Sequence, residues 1–376
     1  MPAGNAAMGL TSSALFSPVT VGPLVLRNRV VMAPMTRERA DNGAPTQAMA
    51  DYYARRARFG VGLVITEGTP PCASGAFGST VPYFFGPQRA RWRPVVDAVH
   101  EAGASIVAQL WHVGAFDPSL IGMADSVATE RISPSGLAGP GRPLGRCMRE
   151  ADIEVAIEAY ADAAGAAQAM GFDGVEIHGA HGYLPDQFLW AKTNLRTDRY
   201  GGDPVARALF AAEVVRACRR RTGPAFAILF RFSQWKQLDY AARIAESAQQ
   251  LGKILQPLTD AGVDIFHCST RRYWEPAFEG DMRSLAAWTR CLTGKPVIAV
   301  GSVTMGNDFK SALGKVHAQA VPEHVAELEQ SIAAGGFDLI AIGRALIANP
   351  DWVHKVHGGR AHELRPFAKA MLDTLD

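Results

Sequence analysis

The chain has 376 residues, 48% of them hydrophobic and 20% charged, with 38 Lys+Arg against 36 Asp+Glu and a formal net charge of +2. That apolar fraction supplies a packed core and excludes wholesale disorder. The near-neutral balance gives no electrostatic footprint for nucleic acid or an anionic membrane, so neither is expected as a partner. Residues 1–26 contain neither Lys nor Arg, so the basic start of a secretory signal is missing. No apolar run reaches the roughly 18 residues of a spanning helix. The five cysteines (Cys72, Cys147, Cys218, Cys268, Cys291) are scattered and show no C-x-x-C pair. They argue against a structural zinc or iron–sulfur site and predict reduced, mostly buried thiols in a cytoplasmic protein.

In chain order, short apolar runs alternate with amphipathic segments. The runs are Val30–Met35, Gly62–Thr66, Ser105–Leu110, Gly174–His178, Phe226–Arg231, Val263–Cys268, Pro296–Val300 and Phe337–Ile342. Short, rich in β-branched residues and bounded by Gly or Pro, they predict buried parallel strands. Helical phase joins Trp92, Val95, Val96 and Val99 ahead of Gly103, and Ile153, Ile157, Tyr160, Ala161 and Ala164 ahead of Gly171. A further helix is expected to open at Pro322, carry Val325, Leu328 and Ile332, and close at Gly335-Gly336. Eight strand–helix units predict a closed (β/α)8 TIM barrel, a single α/β domain over residues 1–376. The competing open dinucleotide-binding sheet wants G-x-G-x-x-G after its first strand, and Met32-Ala33-Pro34-Met35-Thr36-Arg37 has no glycine. Residues 114–148 and 303–320 break the repeat and are expected as insertions over the mouth, with 303–320 as readily an inert excursion.

Polar residues gather at the C-terminal ends of the predicted strands: Thr36, Thr66-Glu67, Gln109, His112, His178, Arg231 and Ser233. Alternation places Glu176 and His178 on one face and Val175 and Ile177 on the other. Barrel layers favour branched apolar residues, so a polar ring at that end marks a functional mouth more readily than a solvated rim. The densest stretch is His178-Gly179-Ala180-His181-Gly182-Tyr183. Two imidazoles can donate to one developing oxyanion if the turn is tight, and a tyrosine phenol can supply a proton. Metal ligation with His112 as third ligand, and two structural histidines, stand as alternatives. Glycines directly after the last two strands (Gly301-Ser302 and Gly343-Arg344) suggest a phosphate cradle, which Arg344 can grip bidentately.

With Leu15-Phe16-Ser17-Pro18, Asn28-Arg29, Ala33-Pro34-Met35-Thr36-Arg37, Ile65-Thr66-Glu67-Gly68, Gln109-Leu110-Trp111-His112, His178-x-x-His181-x-Tyr183, Asp186-Gln187-Phe188-Leu189 and Asn194-x-Arg196-Thr197-Asp198-x-Tyr200-Gly201-Gly202, the chain resembles the old yellow enzyme family of FMN-dependent ene-reductases over nearly its whole length. The resemblance implies non-covalent FMN held by Ala33, Pro34, Met35, Thr36, Gln109, Arg231, Gly301, Ser302, Gly343 and Arg344, and NAD(P)H as reductant. It implies that His178 and His181 bind the carbonyl or nitro oxygen of an activated alkene while Tyr183 protonates its α-carbon. Tyr83, Trp111, Tyr273 and Trp274 are the candidate aromatic neighbours of the substrate, each as readily a core-packing residue; residues 1–25 are expected as a barrel lid, and the assembly as a monomer or homodimer. The oxyanion pair is His/His rather than His/Asn. Thr36 stands where one branch of the family has cysteine, and Ser302 where some members have asparagine. Larger relatives add an iron–sulfur motif and a nucleotide-binding domain, which the absence of clustered cysteines makes unexpected here. A metal- or phosphate-dependent lyase, an FMN amine dehydrogenase-like activity and a catalytically silent binding barrel are the rival functions.

Overall fold

A computed structural model describes residues 13–76, 78–121, 130–306 and 323–376. Each expected apolar run supplies a barrel strand: β1 (Val30–Met32), β2 (Leu63–Thr69), β3 (Ser105–Leu110), β4 (Gly174–His181), β5 (Ala227–Lys236), β6 (Ile265–Ser269), β7 (Val297–Val300) and β8 (Leu339–Ile342). They pair in parallel and in sequence order, and β8 closes on β1. Alternation sorts their side chains. Val31, Leu63, Val107, Leu229, Ile265 and Ile298 point inward as one cluster, whereas Val30, Val64, Ile106, Ile177, Phe230 and Ile340 join the core beneath the helices.

The crossovers are α1 (Gln47–Arg58), α2 (Arg93–Glu101), α3 (Glu150–Ala169), α4 (Pro204–Thr222), α5 (Ala248–Ala261), α6 (Leu285–Thr293) and α7 (His324–Ala333), with α8 (Arg344–Ala348) following β8. Their limits follow local chemistry. Asp203 caps α4 by accepting from Val205 and Ala206 N–H, and Ser247 and Ser284 cap α5 and α6. Gly262 and Gly294 end those two helices in the left-handed region.

An antiparallel hairpin, Val19–Val21 paired with Leu24–Leu26, buries Val21, Leu24 and Leu26 in the inward cluster. A Cβ at its Gly22 would lie 3.1 Å from Asp264 Cβ, just before β6, so the hairpin stoppers the N-terminal end of the barrel. At the other end, Arg37 donates to Thr374 O at 2.5 Å and Met371 O at 3.2 Å, tying residues 371–374 behind the loop that leaves β1.

Several expectations change. The first strand stops at Met32 rather than Met35, because Ala33 N still bonds to Ile342 O (3.0 Å) but Pro34 has no N–H to continue the ladder. The fifth strand runs on to Lys236. Within 114–148, the described residues form short pairs, Ile132–Ser133 with Arg146–Cys147 and Leu137–Gly139 with Arg142–Pro143. All five cysteines are free, but Cys147 and Cys291 are exposed and Cys72 only partly covered, so the thiols are less buried than composition suggests. Residues 1–12 and 307–322, which include Pro322 and most of the expected 303–320 insertion, lie outside the described residues. Among the described residues, no helix is long and apolar enough to cross a membrane.

Candidate active site

Three rings meet at the C-terminal mouth. The His178 ring lies 5.1 Å from that of His181 and 4.9 Å from that of Tyr183. Three residues apart on an extended strand, the histidines would face opposite ways. The backbone leaves the extended region at His181 (φ 66°) and Gly182 (φ 91°), and this brings them together. Gly179 serves a different need, since a Cβ there would lie 2.3 Å from the Phe230 ring. Beneath the turn, Asp186 accepts from Gly182 N at 2.7 Å and pairs with the fully buried Lys236 at 2.8 Å. Gln187 Nε2 donates to Gly182 O, and Asn194 Nδ2 donates to Phe188 O and Tyr200 O, so the Asp186–Tyr200 stretch braces the site.

Burial, helped by Arg231, holds both His178 and His181 well below the usual imidazole range, so they are neutral. Burial likewise raises the Tyr183 phenol despite Arg231, and it keeps its proton at neutral pH. Each group is therefore a hydrogen-bond donor without carrying charge.

A polar network lies just below. Glu176, fully buried, accepts from Gln109 Nε2 at 2.7 Å and pairs with His267 Nδ1 at 2.6 Å. Burial pushes its carboxyl up, but His267, Arg231 and Gln109 outweigh that and leave it below the ordinary range. Arg231 donates to Ser269 Oγ at 3.2 Å, while its Nε and His178 Nδ1 are buried without a partner. Buried polar atoms are normally satisfied, so these two identify donors and acceptors meant for a ligand.

The expected cradle residues sit on the β1, β7 and β8 side. Thr36 is exposed at the mouth and Pro34 and Met35 are half-buried, with Ala33 beneath. A Cβ at Gly343 would touch Met35 Sδ at 3.4 Å and Ala33 Cβ at 4.0 Å. Gly301 (φ 143°) admits no side chain, because a Cβ would fall 2.5 Å from Thr270 O. Ser302 Oγ donates to Arg271 O at 2.9 Å, and Arg344 opens α8 directly after Gly343. An amide, a guanidinium and two tight turns of this kind suit a planar heterocycle edged with carbonyl oxygens and tethered by phosphate.

Some expected placements fail. Trp111 does pack edge-on against Tyr183 (4.9 Å), but Tyr273 and Trp274 are elsewhere. Tyr273 N bonds to Gly301 O, and its ring packs edge-on against Phe337 in the core beneath the helices. Trp274 is 39% exposed and packs on His324. Thr66 and Glu67 do not line the mouth: Thr66 Oγ1 bonds to backbone, and Glu67 faces Tyr53 OH of α1 and accepts from Arg37 N. His112 accepts from Gly114 N at Nδ1 and meets Ser74 Oγ at Nε2, so neither nitrogen is free to join a metal. Burial pulls its pKa down to about 3. Among the described residues, no group of three His, Cys, Asp or Glu could hold a metal ion.

Further members of the site lie outside the sequence motifs. Trp235 stacks on His181 at 4.3 Å, and Tyr240 stacks on Trp235 at 5.3 Å. Phe116, from the loop after β3, covers Tyr183 at 4.8 Å. His267 and Ser269 could have been found, because the parity that turned Glu176 and His178 inward applies equally to β6.

The profile of the NADH:flavin oxidoreductase / NADH oxidase family matches residues 14–363. The chain is 34% identical over 365 residues to the NADH oxidase of Thermoanaerobacter brockii, covering 93% of this chain but 52% of that one, so it spans about half of that relative's length. It is 37% identical over 352 residues to a chanoclavine-I aldehyde reductase of Penicillium roqueforti (strain FM164), covering 92% and 89% of the two chains. The solved old yellow enzyme homologue of Zymomonas mobilis superposes with a TM-score of 0.76 at 27% identity, covering 96% of each chain. With its closed barrel and polar mouth, the chain belongs to the NADH:flavin oxidoreductase / NADH oxidase family, the old yellow enzymes, oxidoreductases that use FMN and NAD(P)H.

Proposed function

We propose that this chain reduces the C=C bond of α,β-unsaturated carbonyl or nitro compounds at the expense of NAD(P)H. The observation that carries this reading is the group of three neutral rings, His178, His181 and Tyr183, at the barrel mouth. When bound, FMN would supply the two-electron hydride chemistry that couples oxidation of the nicotinamide to reduction of the alkene. The residues present fit that cofactor: Gln109 and the partly unpartnered Arg231 for the pyrimidine edge, Thr36 and Met35 from the open side, and Gly301, Ser302, Gly343 and Arg344 for the phosphate.

The chain's own groups do the rest. His178 and His181 each have one N–H to aim at the substrate oxygen, and they stabilise the negative charge that grows there. Tyr183 holds its proton against release to water and delivers it to the α-carbon. Trp111 and Phe116 fix the phenol ring and exclude solvent around it. The reducing setting implied by five free thiols matches a cytoplasmic enzyme.

The test is anaerobic. FMN-loaded protein is bleached with one equivalent of NADPH or NADH and then mixed with 2-cyclohexenone, a maleimide or a nitroalkene. Recovery of flavin absorbance with formation of the saturated product is expected. A flavin that stays bleached in the presence of each alkene, with every alkene recovered unchanged, would overturn the reading.

A further inference from the structure

Ser269 ends β6 in register with Ser233 of β5. Its hydroxyl lies 2.7 Å from His181 Nε2 and 3.2 Å from Arg231 Nη2. A guanidinium has donors only, so Arg231 donates and Ser269 accepts. The hydroxyl's own proton then needs an acceptor. Among the described residues, the one recorded within reach is His181 Nε2.

We infer that Ser269 is a positioning residue that fixes the tautomer of His181: Nε2 accepts from Ser269, and the N–H presented to the substrate oxygen is Nδ1–H. The choice matters because a neutral imidazole has one N–H. In the other tautomer Nε2–H would point at Ser269, and Nδ1 would turn a lone pair towards an oxygen gaining negative charge. Donation from Arg231 also polarises the Ser269 hydroxyl and strengthens its bond to His181.

The surroundings hold the ring in this orientation. Ser233 Oγ accepts from His181 N at 3.0 Å and donates to Trp235 O at 2.6 Å. The Trp235 ring stacks on His181 at 27°, and its Nε1 donates to Ser269 O at 3.1 Å. Backbone, indole, serine and imidazole thus form a closed circuit. A half-turn of the imidazole would keep the stack but set a carbon against Ser269, giving up the bond.

This inference rests on the proposed ene-reduction for the use made of the N–H, but its test does not. FMN-loaded protein carrying 15N-histidine is examined by long-range 1H–15N correlation, with His181 assigned by its loss in His181→Asn. A protonated Nδ1 and a bare Nε2 are expected across neutral pH. Ser269→Ala should mix the tautomers and weaken a phenol, read by its charge-transfer band, about tenfold, the loss of one hydrogen-bonded donor. Ser269→Thr, which keeps the hydroxyl, should restore both. A wild-type His181 protonated at Nε2, or a tautomer unchanged in Ser269→Ala, would overturn the inference. Failure to reduce any alkene, with the Nδ1–H tautomer observed, would instead sink the proposed function alone.

Discussion

The two halves of the barrel interior are built from the same strands and obey opposite rules. Towards the N-terminal end, Val31, Leu63, Ile265 and Leu339 pack with the stopper residues Val21, Leu24 and Leu26 and contain no polar atom to satisfy. Nearer the mouth, on β3 to β6, come the buried Gln109, Glu176, Arg231 and His267, with Glu176 bonded to both Gln109 and His267. The lower half is finished as it stands, whereas the upper half leaves Arg231 Nε and His178 Nδ1 open. Stability and chemistry are thus stacked along one axis, and substitutions at the two levels should separate them.

The largest effect should come from the upper level. Tyr183→Phe is expected to slow alkene reduction about 10²–10⁴-fold, the usual weight of a general acid, with the rate of flavin reduction by NAD(P)H and the urea midpoint preserved. Stopped-flow traces of the two half-reactions check this. In the lower level Leu229→Ala should lower unfolding free energy by about 2–5 kcal/mol through the cavity it leaves. Phenol affinity should stay at the wild-type value, and a shift in it would blur the division between levels.

A third test concerns Glu67, which turns away from both levels. Burial pushes its carboxyl from 4.5 up to about 7, against the bonds from Arg37 and Tyr53. Between those pH values the folded chain holds a proton that the unfolded chain has released. Its stabilising effect is therefore complete below pH ~4.5 and is lost as pH rises to ~7, by of order 3 kcal/mol. Urea titrations should show this slope in the wild type relative to Glu67→Gln, and equal slopes would refute it. Smallest of all, Asp97→Ala breaks the exposed Arg93–Asp97 pair on α2 and should change stability by under about 0.5 kcal/mol, with both half-reactions untouched.

The barrel was legible because short apolar runs bounded by Gly and Pro and alternating with amphipathic segments have few other uses, and the parity of side chains along a strand turned Glu176 and His178 inward. What escaped was decided by backbone departures from that period. The left-handed conformation of His181 leaves no trace in its own identity, although Gly182 beside it is a hint. Between Gly179 and His181, β5 advances from Phe232 to Lys236, and this excess length arches Trp235 over the imidazole beyond the end of the apolar run. Tyr273 and Trp274 have the character of pocket aromatics, yet the first packs against Phe337 in the core beneath the helices and the second against His324. The shape of a loop, rather than the character of its residues, decided each case.

The hairpin over the lower end has a kinetic consequence. Among the described residues the lower end is closed, so on the function proposed above reductant and acceptor both come from the mouth and are expected to take turns at one berth above His178 and His181. Double-reciprocal plots at several fixed NAD(P)H concentrations should then be parallel. Each substrate in excess should inhibit by occupying the place the other needs, so turnover would be capped by how promptly the first visitor leaves.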